Sequence, residues 1–234
     1  MHIEIVQASP PSGLGLEIIF TEVNEFDPVL KEESARWVIR QHPKTRERTL
    51  ERLSWGFIHN WSRTPDSGQR PRTTSADGIA TSPRFGDAYR RRRCLVPVIG
   101  FVECKRSWGK KVESYVVTTD TESFALGGIW ETWSDPTTRE SLTTFALITT
   151  PANALVRSVA ERMPLVIPPI HYDRWLSRLE FNPRNLLAPF PSEAMRVKRA
   201  SSPSSSRASS NSDGRRSKTE RSCRSSIFFE STSK

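Results

Sequence analysis

The stretches Ser123-Phe-Ala-Leu-Gly-Gly-Ile-Trp130 and Thr143-Thr-Phe-Ala-Leu-Ile-Thr149 carry the pattern that decides the fold of this chain. Both are rich in β-branched or aromatic residues and are bounded by turn-forming residues, which is typical of β-strands. Cys94–Val98 and Ser114–Thr119 have the same character. Because strands outnumber helices and the connections are short, the sequence predicts an α+β domain built mainly on antiparallel sheet.

Shorter patterns surround these strands. Trp37–Arg40 and Leu53–Ile58 flank the polar segment Pro43–Arg48, so the pair is expected to form a hairpin. A few short helices are also expected, each beginning where a proline can occupy the first turn. Their predicted starts are Ser82-Pro83, Thr150-Pro151 and Pro168-Pro169.

Charge and composition divide the 234 residues into two parts. The whole chain has 35 Lys and Arg against 26 Asp and Glu, a formal net charge of +9. Residues 197–234 contain nine basic and three acidic side chains and 14 serines, with few apolar side chains to offset the entropy of ordering. We therefore predict a domain over residues 1–196 and a disordered, basic Ser/Arg-rich tail over residues 197–234.

Several functional classes are not expected. No apolar run approaches the roughly 20 residues that span a bilayer, and no signal-peptide pattern is present, so we expect a cytoplasmic protein without a membrane partner. The four histidines and three cysteines lack metal-ligand spacing, so no metal is expected. The phosphate-binding and nucleophile motifs of common cofactor enzymes and hydrolases are also missing, and no cofactor is expected.

Two segments suggest contacts with nucleic acid. Trp55 and Trp61 enclose a short Gly-containing stretch, which is typical either of two aromatic side chains packed in a core or of a shelf on which a base stacks. The run Arg90–Arg93 follows an apolar helical pattern and can be a solvated helix end or a set of phosphate contacts.

Two further residues are candidates for chemistry. Glu103 follows the apolar stretch Leu95–Val102, so its carboxyl is expected to be buried, with a raised pKa that suits proton transfer. Arg162 lies where a helical pattern leads through Pro164 into a strand, and its guanidinium could hold a phosphate or a carboxylate.

Several longer segments together resemble one protein family. They are Leu53-Ser-Trp-Gly-Phe-Ile58, Asp87-Ala-Tyr-Arg-Arg-Arg-Arg-Cys-Leu-Val-Pro-Val98, Gly127-Gly-Ile-Trp-Glu-Thr-Trp133, Phe145-Ala-Leu-Ile-Thr-Thr-Pro-Ala-Asn-Ala-Leu-Val156 and Glu161-Arg-Met-Pro-Leu-Val-Ile167. In this order they resemble the SOS-response-associated peptidase family, the abasic-site processing proteins. The resemblance implies a single barrel-like β domain with a positively charged channel for single-stranded DNA.

The resemblance also implies a chemistry and a set of site residues. In the family, a second-residue cysteine, exposed by removal of the initiator Met, joins the aldehyde of an abasic site as a thiazolidine, and an Asn, a Glu and a His assist. Carried onto this chain, Glu103 keeps the glutamate. His2 stands at the position of the nucleophile, Thr73 at that of the Asn and Ala160 at that of the His. The implied DNA-binding positions are Trp55, Trp61, Ser75 (at a family Arg), Thr149, Arg162, Arg90 and Arg91.

These substitutions leave two hypotheses for function. By resemblance, the chain is an abasic-site processing protein of the DNA damage response that captures abasic sites in single-stranded DNA, with peptidase-like or lyase activity. Because a thiazolidine requires a thiol beside an amine and His2 supplies none, the alternative is a catalytically silent single-stranded DNA-binding module or a decayed copy. A monomer is expected in either case.

Overall fold

The computed structural model describes residues 3–7, 14, 19–20, 35–42, 45–65, 70–106 and 112–200, with the backbone alone at residues 19, 20 and 106. His2 and the predicted tail beyond residue 200 lie outside these ranges. No helix in the described ranges is long and apolar enough to cross a membrane.

Short strands dominate the described residues. The helices are α1 (Gly86–Arg91) and α2 (Tyr172–Leu176). The strands are β1 (Ile3–Val6), β2 (Ile19–Phe20), β3 (Ala35–Gln41), β4 (Arg48–Trp55), β5 (Thr73–Ser75), β6 (Arg93–Val98), β7 (Gly100–Arg106), β8 (Val112–Thr119), β9 (Phe124–Ser134), β10 (Ser141–Pro151), β11 (Arg162–Pro164), β12 (Val166–Ile167) and β13 (Met195–Arg199).

Five of these strands close into a barrel. Strand β3 pairs with β4 and β6, β6 pairs with β9, and β9 forms a long antiparallel ladder with β10. Strand β10 then pairs with β4 in parallel at Thr144 and Phe145, and this last pairing closes the ring. Closure removes the exposed sheet edges that an open sheet would present. The predicted α+β, barrel-like fold is therefore confirmed.

A second sheet of four antiparallel strands has the order β1, β7, β8, β13. Alternate residues of the barrel strands supply two apolar clusters, as the two-residue period of a strand requires. Phe145 and Leu147 pack in the cluster that includes Phe101 and Val117 of the second sheet. Ala146 and Ile148 belong to the other cluster, which contains side chains of α1 and α2.

The strand predictions agree with the structure better than the helix predictions. The hairpin of β3 and β4 is present. Helix α1 begins at Gly86 rather than at Ser82-Pro83, whose Ser82 hydroxyl instead accepts the Phe85 N–H at 3.2 Å. Thr150 and Pro151 open no helix, because they pair with β11 and extend β10. Helix α2 follows Pro168-Pro169 through one 3₁₀ turn and ends at Leu176.

The last described strand continues past the predicted domain end at residue 196. Val197, Lys198 and Arg199 of β13 pair with β8. Val197 also packs against the apolar cluster that contains Phe101. This backbone therefore forms an edge of the second sheet as far as Arg199.

Arg93 joins the barrel to both helical regions. Arg93 is 4 % exposed, and its guanidinium donates to backbone carbonyls on two separate segments. The acceptors are Tyr89 O (2.7 Å), Arg90 O (3.2 Å), Trp175 O (2.6 Å), Glu180 O (2.7 Å) and Ser177 O. Burial lowers the pKa of Arg93 to about 10, so the group remains charged at neutral pH.

Replacing Arg93 by Met should destabilise the domain by about 3 kcal/mol or more, because several buried carbonyls lose their donor. Urea unfolding followed by circular dichroism measures the change. As a control, Arg196→Met removes an exposed ion pair with Asp120 and should cost less than about 1 kcal/mol. Equal urea midpoints for the two variants would contradict the structural role of Arg93.

Candidate functional site

Glu103 is a buried acid on strand β7, beside strand β1. It lies on β7 between Ile3 of β1 and Tyr115 of β8 in the sheet register. The residue is 2 % exposed, and its Oε1 has no hydrogen-bond partner among the residues that the structure describes. Burial raises the pKa of Glu103 to about 8, against a smaller opposing effect of the positive amino terminus. The carboxyl is therefore mostly protonated at neutral pH, as the sequence led us to expect.

A second polar group forms around Arg162. Its guanidinium donates to Asp77 Oδ2 at 2.9 Å, to Ser75 Oγ at 2.8 Å, and to Thr149 O at 2.8 Å and Thr149 Oγ1 at 3.2 Å. The Ser75 hydroxyl and then the Arg162 guanidinium lower the pKa of Asp77, so this carboxylate stays charged. Three residues predicted from separate segments thus touch one another.

The end of β10 explains this convergence. Thr149 pairs with Ser75 of β5 on one side and with Pro164 of β11 on the other. Arg162 begins β11, two residues before Pro164, and its side chain returns across the strand to Thr149. Three short segments that are distant in sequence are therefore held together by one strand.

The remaining predicted catalytic positions lie on neighbouring elements. Thr73 begins β5 and pairs with Leu147 of β10. Ala160 packs against the apolar cluster that also includes Ile3, the register neighbour of Glu103. Lys105, two residues beyond Glu103 on β7, donates to Ser158 O at 2.8 Å, close in sequence to Ala160. His2 lies outside the described residues.

The two tryptophans have different environments. Trp55 is 4 % exposed, with Phe145 nearly parallel at 6.1 Å between ring centroids and the Arg72 guanidinium 3.9 Å from the ring centroid. Its indole N–H donates to Arg72 O at 2.7 Å. Trp55 is therefore covered by its neighbours, as the core-packing alternative expects, and its assignment as a base-stacking residue stays a prediction.

Trp61, by contrast, is 67 % exposed and lies nearly parallel to His59, with 4.6 Å between the ring centroids. Arg84 Nε lies 3.4 Å from His59 Nε2. Burial, and then the charge of Arg84, lower the pKa of His59, so a neutral ring supports Trp61 at neutral pH. Trp61 keeps the exposed aromatic face that stacking on a base requires.

The Arg90–Arg93 run does not form one basic surface. Arg90 donates to Ala80 O at 2.7 Å, and Arg92 pairs with both Asp87 and Glu131. Arg93 is buried, as described above. Arg91 has a side chain that is 60 % exposed, although it lies 3.3 Å from Asp87. Of the two predicted DNA contacts here, Arg90 points inward to a carbonyl and Arg91 lies at the surface.

Sequence reasoning missed two members of the site. Asp77 bonds both Ser75 and Arg162, and Arg72 covers Trp55. Both stand next to predicted residues in the segment 72–77, so proximity in sequence was the available signal. Within the described ranges, no group of three or more His, Cys, Asp or Glu side chains could hold a metal ion.

Comparisons with known proteins agree on one family. Residues 28–203 match the family model described as SOS response associated peptidase (SRAP). The chain is 28 % identical over 157 residues to "Abasic site processing protein YoqW" of Bacillus subtilis. The aligned region covers 65 % of this chain and 70 % of that relative. It is 22 % identical over 172 residues to "Abasic site processing protein HMCES" of Gallus gallus, covering 64 % and 51 % of the two chains. A crystal structure of a Bacteroides thetaiotaomicron protein matches with a TM-score of 0.65 and 26 % identity, over 71 % of this chain and 74 % of that one.

Replacing Glu103 by Gln should remove much of the pH dependence of stability between about pH 5 and pH 8. The unfolded chain releases this proton near the ordinary pKa of 4.5, whereas the folded protein keeps it until the pH approaches 8. Wild-type stability should therefore fall as the pH rises through this window and become level above it. Because a tenfold change in proton affinity corresponds to about 1.4 kcal/mol, the loss should reach a few kcal/mol.

Urea midpoints measured across this pH range for wild type and E103Q test the expectation. The exposed Glu122→Gln variant is the control and should keep the wild-type profile. Parallel pH profiles for wild type and E103Q would show that Glu103 is not a buried neutral acid.

Proposed function

The chain belongs to the SOS response associated peptidase family, and from this premise we propose that it binds single-stranded DNA at abasic sites through residues that include Glu103 and Arg162. The observation that carries the proposal is the hydrogen-bonded group of Arg162, Ser75 and Thr149. Relatives named as abasic site processing proteins support DNA as the partner of this chain.

The proposed DNA contact depends on charge that is held in place but accessible. The Arg162 side chain is 31 % exposed, and its carboxylate partner Asp77 has a side chain that is 66 % exposed. A DNA phosphate can replace such an exposed carboxylate and keep the guanidinium paired. Trp61 supplies an exposed ring on which an unpaired base can stack.

The proposed chemistry is limited by the residues at the positions of the family's nucleophile and its partners. His2 lacks the thiol of the family nucleophile, Thr73 lacks the amide of the family Asn, and Ala160 lacks the imidazole of the family His. Glu103 alone remains as a proton donor or acceptor. We therefore propose that the chain recognises abasic DNA without forming the thiol-dependent link or the peptidase-like self-processing of the family. It is proposed to act as a cytoplasmic monomer.

Binding of single-stranded DNA should weaken steeply with added salt, because phosphate contacts release counterions. Arg162→Ala should lower affinity for all sequences and reduce the slope of log affinity against log salt by about 1. Fluorescence anisotropy at several salt concentrations measures both quantities. Arg174→Ala is the matched control, since Arg174 is similarly exposed and paired with one carboxylate, Glu180. Salt-independent binding, or equal losses in the two variants, would contradict the proposed contact.

Restoring the missing groups should restore covalent capture in stages. His2→Cys supplies the thiol and should produce slow capture of single-stranded DNA that holds one abasic site. Adding Thr73→Asn and Ala160→His should accelerate capture, because a well-placed acid or base contributes roughly 10²–10⁴ in rate. The captured species is measured on a denaturing gel. A folded triple variant that binds DNA but captures none would contradict the assignment of these positions.

A further inference from the structure

One face of β7 carries a carboxyl, Glu103, and an amine, Lys105. Glu103 and Lys105 are two residues apart, so their side chains leave the strand on the same side, with about 7 Å between the Cα atoms. The face changes from fully buried at Phe101 and Glu103 to exposed at Lys105. The amine therefore stands at the outer end of the face that holds the buried carboxyl.

The neighbouring strand leaves this amine without a carboxylate in the described contacts. Glu113 lies directly opposite Lys105 in the register of β7 and β8. Its two oxygens, however, accept hydrogen bonds from Tyr115 Oη at 2.8 Å and from Arg199 at 2.6 Å. Lys105 Nζ instead donates to the neutral carbonyl of Ser158 at 2.8 Å. A single carbonyl bond is easily exchanged, so the amine can move without breaking an ion pair.

The part of the chain that the structure describes includes few side-chain primary amines. The described residues contain 2 lysines, Lys105 and Lys198, and the other basic side chains there are mainly arginines. A guanidinium stays protonated and does not add to a carbonyl carbon, whereas a lysine amine does. Lys198 lies on β13, two strands away from β7 in the same sheet. Of these two lysines, Lys105 is the one on the same strand as the buried acid.

We propose that Lys105 is an amine nucleophile that forms an imine with the aldehyde of an abasic site, with Glu103 as the proton-transfer partner. The proposal rests on the proposed function, since it requires abasic DNA at this face. It assigns to the chain an amine-dependent lyase chemistry in place of the thiol-dependent link.

The steps balance with water as the only co-reactant. The Lys105 ammonium first gives a proton to water, and Nζ then adds to C1′ of the ring-opened sugar. A proton moves from nitrogen to oxygen to give a carbinolamine. The Glu103 carboxyl protonates the hydroxyl, which leaves as water, and the C1′=N bond forms. The Glu103 carboxylate then removes a proton from C2′, the C2′–C3′ double bond forms and the 3′ phosphate leaves. Water finally hydrolyses the imine and frees Lys105.

The environment of Glu103 suits both proton transfers. Its carboxyl is buried with a raised pKa of about 8, so it holds a proton to donate at neutral pH and regains one readily. Its Oε1 is not committed to any hydrogen bond among the described residues. A general acid or base with a pKa near the working pH is the most effective kind.

The test uses the full chain and single-stranded DNA with one abasic site, treated with sodium borohydride to reduce any imine. Wild type should give a trapped protein–DNA adduct on a denaturing gel, with the adduct mapped to Lys105 by peptide mass spectrometry. Lys105→Arg keeps the charge and a donor for Ser158 O and should abolish the adduct. Lys198→Arg should trap as wild type does. Glu103→Gln should slow trapping by at least about tenfold.

Anisotropy with the same DNA separates this inference from the proposed function. DNA binding with no trapped adduct, or an adduct that maps to another amine or persists in Lys105→Arg, would overturn the assignment of Lys105 while the proposed function stands. Absence of DNA binding by the wild-type chain would overturn both. Thermal unfolding of each variant shows whether a loss of trapping comes from a loss of fold.

Discussion

Strand β10 changes partners halfway along its length, and the rest of the architecture depends on this change. Its first half lies between β9 and β4 and closes the barrel, whereas its second half lies between β11 and β5. The first half requires close approach of β9, where a side chain at Gly128 would meet Ala146 O at 2.9 Å. The second half projects past the closed ring and carries the short strands that bring Ser75 and Arg162 to Thr149. The first half of β10 thus closes the barrel, and its second half brings the residues of the candidate site together.

Two buried ionisable groups, Arg93 and Glu103, differ in how their polar atoms are hydrogen-bonded. Arg93 is buried with a carbonyl for each part of its guanidinium, and it remains charged while holding α1 and the α2 region to β6. Glu103 is equally buried, yet its Oε1 has no partner within the described ranges, and the protonated form is favoured. A satisfied buried charge adds rigidity, whereas an unsatisfied acid costs stability and is available for proton transfer. The asymmetry separates an unsatisfied acid on the second sheet from a fully paired cation on the helical side.

The polar group around Arg162 and the face of β7 complement each other. Arg162 is fixed by a hydroxyl, a carbonyl and an exposed carboxylate, a set that holds a cation in place while leaving it accessible. Lys105 has one partner among the described residues, the Ser158 carbonyl, and can exchange it. A fixed guanidinium suits a phosphate that must be positioned, and a mobile amine suits a carbon that must be attacked.

The sequence by itself determined the strands β6, β9 and β10, the hairpin of β3 and β4, and the burial of Glu103, because these follow from local runs of apolar and β-branched residues. The resemblance of its motifs also included Ser75, Thr149 and Arg162 among seven positions expected to bind DNA. Only the tertiary structure decided that Trp55 is covered and Trp61 exposed, that Arg93 is buried while Arg91 is at the surface, and that Thr150 and Pro151 extend a strand instead of opening a helix. In each case the deciding neighbour is distant in sequence: Phe145 for Trp55, Trp175 for Arg93 and Met163 for Thr150. The environment of a side chain depends on such neighbours, and local composition does not determine which distant residues contact it in the folded protein.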